Sequence, residues 1–212
     1  MSKKLRNTLR AFLVNTPLWR PIRFIKGYGD LVLFYLSPHY PSPRLYKVKV
    51  IRDLLIQRDF RTFVETGTND GDTIEGVIGK SPPWTSVYSV EADEEKYHAA
   101  LKKFAGDPRV HIYFGDSAEV LPTLPVWGQK DANLPAPKTL FFLDAHPGDP
   151  DEPSPIRGEL AWCLAHASKE SIILIDDARW FDGSHAPYPS LGEIKSQTDR
   201  HVEVKNDIIY II

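Results

Sequence analysis

The sequence predicts an α/β fold: a parallel sheet covered by helices on both faces and finished by an antiparallel hairpin. Three observations carry this. Short apolar runs alternate with helical stretches from residue 61 onward. Several of these runs are apolar at every position, as strands buried on both faces require. The end of the chain breaks the pattern. His201-Val202-Glu203-Val204-Lys205 alternates, Asn206-Asp207 supplies turn chemistry, and Ile208 to Ile212 is apolar, which reads as a hairpin.

Taken in order, residues 3–14 (KKLRNTLRAFLV) place Leu5, Leu9, Phe12 and Leu13 on one helical face, with Lys3, Lys4, Arg6 and Arg10 around it. Pro17 and Pro21 end that pattern. Residues 37–43 (SPHYPSP) hold three prolines, cannot continue a helix, and mark a linker. Residues 1–43 are therefore expected to be a basic helical extension, and residues 44–212 the main domain, entered through a helix over 45–58. Thr62 to Glu65 is a short strand ending in Thr66-Gly67. A helix at 71–79, a strand at Ser86 to Glu91, a helix at 94–105 and a strand at Val110 to Phe114 follow. A helix is expected at 117–124, then an irregular connection over 122–138, which contains four prolines. Leu140 to Leu143 ends at Asp144. A helix at 155–166 leads to the apolar strand Ser171 to Ile175, which ends at Asp176-Asp177.

Charge divides the chain. The net charge is -2, but residues 1–60 sum to +9 and residues 61–212 to -11. The longest apolar run near the N-terminus is Leu31 to Leu36, far short of the roughly 20 residues that span a bilayer. No signal peptide is evident, so the cytoplasm is the expected location. The single Cys163 excludes an intrachain disulfide framework and a Cys-based zinc site.

Ligands of open α/β sheets sit outside the carboxyl ends of the strands. Here those ends are Glu65, Glu91, Asp116, Asp144 and Asp176-Asp177. Asp also favours turns and helix caps, which would explain one such end. Five in order point to a site. The first turn, Glu65-Thr66-Gly67-Thr68-Asn69-Asp70-Gly71-Asp72-Thr73, lacks the G-x-G-x-x-G dinucleotide pattern. Its acids would repel a pyrophosphate, which favours a cationic or neutral nucleoside. Glu91 stands 24 residues after Gly67, where a carboxylate can accept both hydroxyls of a ribose. Asp116 either lies beside a base edge or caps the next helix, and the two roles can coexist.

On ETGTNDG (65–71), Glu91 in VYSVEAD, Gly115-Asp116-Ser117, FFLDAH (141–146), ILIDDAR (173–179) and the terminal hairpin, residues 60–212 resemble the class I S-adenosylmethionine-dependent methyltransferases. The resemblance implies a Rossmann-like seven-stranded sheet of order 3-2-1-4-5-7-6 with strand 7 antiparallel. It implies that the cofactor, S-adenosyl-L-methionine, lies against Glu65, Thr66, Gly67, Thr68, Asn69, Gly71, Asp72 and Thr73. Glu91 and Ala92 would hold the ribose side, Asp116 and Ser117 the adenine side, and Asp144 would complete the set.

Asp144-Ala145-His146 and Asp176-Asp177 also resemble the metal-dependent O-methyltransferases, some of which act on sugars. That resemblance implies a divalent cation on Asp144, Asp176 and Asp177. Three converging carboxylates are costly unless neutralised, and oxygen ligands suit Mg2+ or Mn2+. Such a cation can lower the pKa of an acceptor hydroxyl, and His146 can take the proton. Asp177 alternatively caps the next helix or binds Arg179. His146 is alternatively a metal ligand or a plain loop residue. His166 reads as structural. His185 either reaches the acceptor or is merely exposed in the loop Trp180 to Pro189, which is a candidate acceptor wall together with the loop His146 to Pro155.

The expected activity is therefore metal-assisted O-methylation of a sugar or other polyhydroxylated small molecule, free or within a glycan. The alternatives are a non-catalytic nucleoside- or partner-binding module of the same fold and, behind it, an NAD-dependent oxidoreductase, which the missing third glycine disfavours. Nucleic acid is not an expected partner. The basic extension either rests on an anionic membrane through residues 3–14, or packs on the acidic domain as a lid or as the arm of a homo-oligomer. The need to bury Leu5, Leu9, Phe12 and Leu13 favours the second.

Overall fold

The computed structural model describes residues 19–37, 41–79, 83, 85–127, 137–146 and 153–212. The helix expected at 3–14 and most of the loop His146 to Pro155 lie outside these residues. The chain divides into two compact units, Met1–Lys47 and Val48–Ile212.

In the first unit, helix α1 spans Trp19–Leu36. Pro21, expected to end a helix, is its third residue. Proline is tolerated in a first turn because the N–H it lacks has no intrahelical acceptor there. Gly27 lies against Leu45, and the Phe34 ring meets Tyr46 at 4.7 Å, tilted by 46°. Helix α2, Arg44–Gln57, crosses the division, and in the second unit it buries Val48, Ile51 and Leu55 at helical spacing.

The second unit holds a seven-stranded sheet of order β3-β2-β1-β4-β5-β7-β6. The strands are β1 Thr62–Thr66, β2 Ser86–Glu91, β3 Val110–Phe114, β4 Thr139–Leu143, β5 Ile172–Ile175, β6 Val202–Lys205 and β7 Ile208–Ile211. All neighbours are parallel except β7, which runs antiparallel to both β5 and β6. Every residue of β4, β5 and β7 is buried, as the apolar runs that fill them after Thr139 require.

Helices α3 (Asp72–Ile78), α4 (Glu94–Phe104), α5 (Ser117–Val120), α6 (Ile156–His166) and α7 (Leu191–Ser196) cover it. Asp93 caps α4 by accepting from the Lys96 N–H. Ser190 and Glu193 form a capping box on α7. The helix expected over 117–124 ends after one turn at Val120 and tightens into a 3-10 turn at Leu121–Thr123, as Pro122 dictates.

Register sets the site. Thr66 pairs with Val90 and Leu143, and Leu143 with Ile175. Glu91 pairs with Phe114 one step further on. The next positions out, Glu91, Gly67, Asp144 and Asp176, therefore form a row across the carboxyl edge of the sheet.

Candidate functional site

Gly67 has φ +83°. A Cβ on it would lie 2.6 Å from the Asp144 carbonyl oxygen and 3.2 Å from the Ala145 Cα. Only glycine lets the loops after β1 and β4 meet this closely. The contact is fastened by the Asp144 N–H, which lies 3.2 Å from both the Thr66 carbonyl and the Thr66 hydroxyl. Gly71, at φ +68°, starts α3 against the ring of Phe104, which a Cβ would meet at 2.6 Å.

Glu65 is fully buried beneath this turn. Its Oε2 accepts from the Ser89 hydroxyl at 3.1 Å, and Ser89 is 2.6 Å from the Thr68 hydroxyl. Burial first, and then the negative charge of Asp144, push the Glu65 carboxyl up to about 8 against the hydrogen bonds of Ser89 and Thr73. Without a ligand it is protonated at neutral pH, and an arriving cation would restore its charge.

Glu91 is buried, and two backbone amides fix it: Asn69 N–H donates to Oε2 at 2.6 Å and Asp93 N–H to Oε1 at 2.9 Å. Each oxygen keeps a second lone pair. Asn69 takes the left-handed conformation that aims its amide there, with φ +48°. Ala92 follows on the exposed surface. Asp116 caps α5 by accepting from Ala118 N–H at 2.8 Å, so the capping role is realised, and Ser117 beside it is buried. Asp72 and Thr73 open α3, where Lys103 reaches Asp72 at 3.6 Å and Glu75 at 2.8 Å.

The ends of β4 and β5 converge on His146. Its Nε2 is 3.3 Å from Asp144 Oδ1 and 3.3 Å from Asp177 Oδ2, and its Nδ1 is 3.0 Å from the Tyr188 hydroxyl. Burial works against charge on the ring, but the bonds to Asp144 and Asp177 outweigh it and carry the pKa up to about 11. Asp177 sits at φ +54° and also binds Arg179 at 2.9 Å, so one of its two expected alternatives holds. Arg179 in turn pairs with Asp207 in the terminal hairpin turn, tying that hairpin to the site.

Asp176 follows β5 directly. It is buried, and its Oδ1 accepts from the Asp177 N–H at 2.8 Å. Among the described residues no group of three His, Cys, Asp or Glu side chains is set to hold a metal ion. The expected centre would draw on Asp144, Asp176 and Asp177. A histidine stands between two of the carboxylates, and the third is bonded to backbone.

Three participants were not singled out from sequence. Ser89 shares a strand face with Glu91, two residues on, a placement that period-2 alternation could have shown. Tyr188 belongs to the acceptor-loop candidate, where nothing in the sequence distinguishes it from its aromatic neighbours. Glu159 lies on the buried stripe of α6 with Ile156, Leu160 and Cys163, and a charged residue within such a stripe is itself a signal. It has no exposed surface, and neither carboxylate oxygen has a well-formed hydrogen bond among the described residues. Burial raises it to about 7; the nearby hydroxyls of Ser117 and Thr66 pull the other way by proximity.

Two other histidines that the sequence singled out make local contacts. His166 stacks on Trp162 at 3.7 Å and meets the Trp162 carbonyl. His185 bonds Asp182 and Ser184 within its own turn.

No family model matches the sequence. Solved structures do match the fold. The chain resembles the O-methyltransferase TomG from Streptomyces achromogenes, solved with SAM, at 17% identity and TM-score 0.56, over 88% of this chain and 87% of that one. An O-methyltransferase from Bacillus cereus, solved with SAH, gives 16% identity and TM-score 0.57 over 88% and 89%. The SAH-bound Podospora anserina methyltransferase PaMTH1 gives 17% identity and TM-score 0.56 over 100% and 96%.

The fold is that of the class I methyltransferases. Strand order and the antiparallel β7 agree with it in every position. Within this methyltransferase fold, the row from Glu91 to Asp176 occupies the edge where such sheets take their ligands.

Proposed function

We propose that the protein is an S-adenosylmethionine-dependent O-methyltransferase acting on a small-molecule hydroxyl. The observation that carries the reading is the acidic row at the carboxyl edge of the sheet, with a protonated Glu65 beneath it and an amide-fixed Glu91 beside it. Such an edge suits a cationic nucleoside and repels a pyrophosphate. The SAM- and SAH-bound O-methyltransferases of the same fold support it.

In this reading the methionine ammonium and sulfonium lie near Glu65 and Asp144, and Glu91 accepts from the ribose. The acceptor oxygen loses its proton and attacks the methyl carbon opposite sulfur. The O–C bond forms as the C–S bond breaks, giving a methyl ether and S-adenosylhomocysteine. Holding the two reactants in line supplies much of the rate. In the free protein His146 already holds a proton at neutral pH, so it can steady an oxyanion. It becomes a base only on giving up that proton, which the incoming sulfonium charge favours. Tyr188 holds the ring in place through Nδ1. Aromatic Trp180 and Tyr188, with polar Asp182 and His185 in one loop, suit a sugar or other polyol, free or within a glycan.

A metal-assisted form is a second reading. One observation favours it: the carboxylates of Asp144 and Asp177 aim at one point, now taken by the His146 ring. Mg2+ or Mn2+ would compete with the proton on that ring. Turnover of a panel of phenols, sugars and polyols with labelled cofactor, in EDTA and then with each ion restored, tests both forms. Full activity in EDTA removes the metal reading, and no methyl transfer to any hydroxyl under either condition counts against the proposal itself.

A further inference from the structure

Helix α1 carries its apolar residues on the side that faces solvent. Ile25, Tyr28, Val32, Tyr35 and Leu36 recur at spacings of three and four and share one arc of the helix, with Leu33 at its border. All six are about half exposed or more, with Ile25 at 71% and Leu36 at 76%. The opposite side, with Gly27 and Phe34, packs on Leu45 and Tyr46. A surface helix of a soluble unit shows the reverse arrangement, with polar residues outward. Lys26 borders the arc and pairs with Asp30 at 3.1 Å.

Charge tells what covers this arc. Residues 1–29 hold seven Lys and Arg and no acid. A second copy carries the same excess of positive charge in this part of its sequence, which disfavours it as the partner. An anionic surface gains from these basic residues, at about five-fold in affinity for each one near it. The arc is apolar with tyrosines, the residue type that favours a lipid headgroup boundary. No described helix is long and apolar enough to cross a membrane, so the contact would be one of lying on the surface.

We propose that the exposed arc of α1 seats the protein on an anionic lipid bilayer, to which the excess of basic residues in this part of the sequence adds electrostatic attraction. The proposal is independent of the methyl-transfer reading and stands or falls separately from it.

Flotation of the full chain with vesicles of phosphatidylcholine, alone or with about 30% phosphatidylglycerol, tests it at low and high salt. The expected result is at least about tenfold more protein on the anionic vesicles, lost in high salt. The variant Ile25→Ser/Val32→Ser/Leu36→Ser should fall to the level of neutral vesicles while keeping the helical circular dichroism of the parent. Absence of binding to anionic vesicles overturns the proposal, and so does binding that the triple variant retains. A dimer seen by light scattering that the triple variant breaks, with neither form floating, would assign the arc to a second copy and overturn it too.

Discussion

Gly67→Ala perturbs the one contact on which the site's two halves depend. The backbone at Gly67 has φ +83°, a conformation that costs an L-residue roughly 1–2 kcal/mol. The added methyl would stand 2.6 Å from the Asp144 carbonyl oxygen, where ordinary contact begins at 3.4 Å. The loops after β1 and β4 must then part by roughly 0.8 Å, beyond the ~0.5 Å within which a binding constellation works. Backbone strain alone should lower Tm by about 2–8 °C for a unit of this size. Displacement of Asp144 from Thr66 should weaken S-adenosylhomocysteine binding by about tenfold or more. Differential scanning calorimetry and isothermal titration calorimetry read the two effects. Gly106→Ala is the control, because a Cβ there meets nothing within 4 Å. A Gly67→Ala protein with the parent's Tm and affinity would refute the close-approach argument.

Other perturbations follow from the charges. Glu65 and Glu159 have folded pKa values raised to about 8 and about 7 from 4.5, so the folded state holds more protons than the unfolded one between pH 4.5 and 8. Stability of the cofactor-free protein should therefore fall as pH rises through that window, and thermal melts from pH 5.5 to 8.5 would show it. Glu159→Gln should flatten part of that slope and raise Tm at pH 8 with little effect at pH 5.5; equal shifts at both pH values would contradict the assignment. Cofactor binding should release protons as Glu65 ionises, seen as a buffer-dependent heat in calorimetry. His146→Ala should reduce turnover by about 10²–10⁴-fold and Tyr188→Phe by only about five-fold, with cofactor affinity little changed in either.

Much of the fold was legible because Leu140 to Leu143 and β5 are apolar throughout and the first strand of the terminal hairpin alternates. These patterns require a sheet buried on both faces with one antiparallel edge. Helix α1 was not legible: Pro21 reads as a stop unless it is known to lie in a first turn, and only the preceding chain could show that. The acidic strand ends were legible as a row, since each follows its strand directly. Their partners were harder. Ser89, Glu159 and Tyr188 come from a strand interior, a helix stripe and a loop, and only register and packing bring them to Glu65, Ser117 and His146. How Asp144, Asp176 and Asp177 are bonded was not legible, for a local reason. Asp177 takes a left-handed backbone conformation and turns toward His146 and Arg179, while Asp176 stays with the Asp177 amide.

The central claim is that this edge binds a cationic nucleoside cofactor and not a dinucleotide. Isothermal titration of the full chain with S-adenosylmethionine, S-adenosylhomocysteine and NAD measures it directly. Both sulfur nucleosides should bind one to one, weakened about tenfold or more by Glu91→Gln, and NAD should not bind. Saturable binding of NAD with neither sulfur nucleoside bound would contradict it.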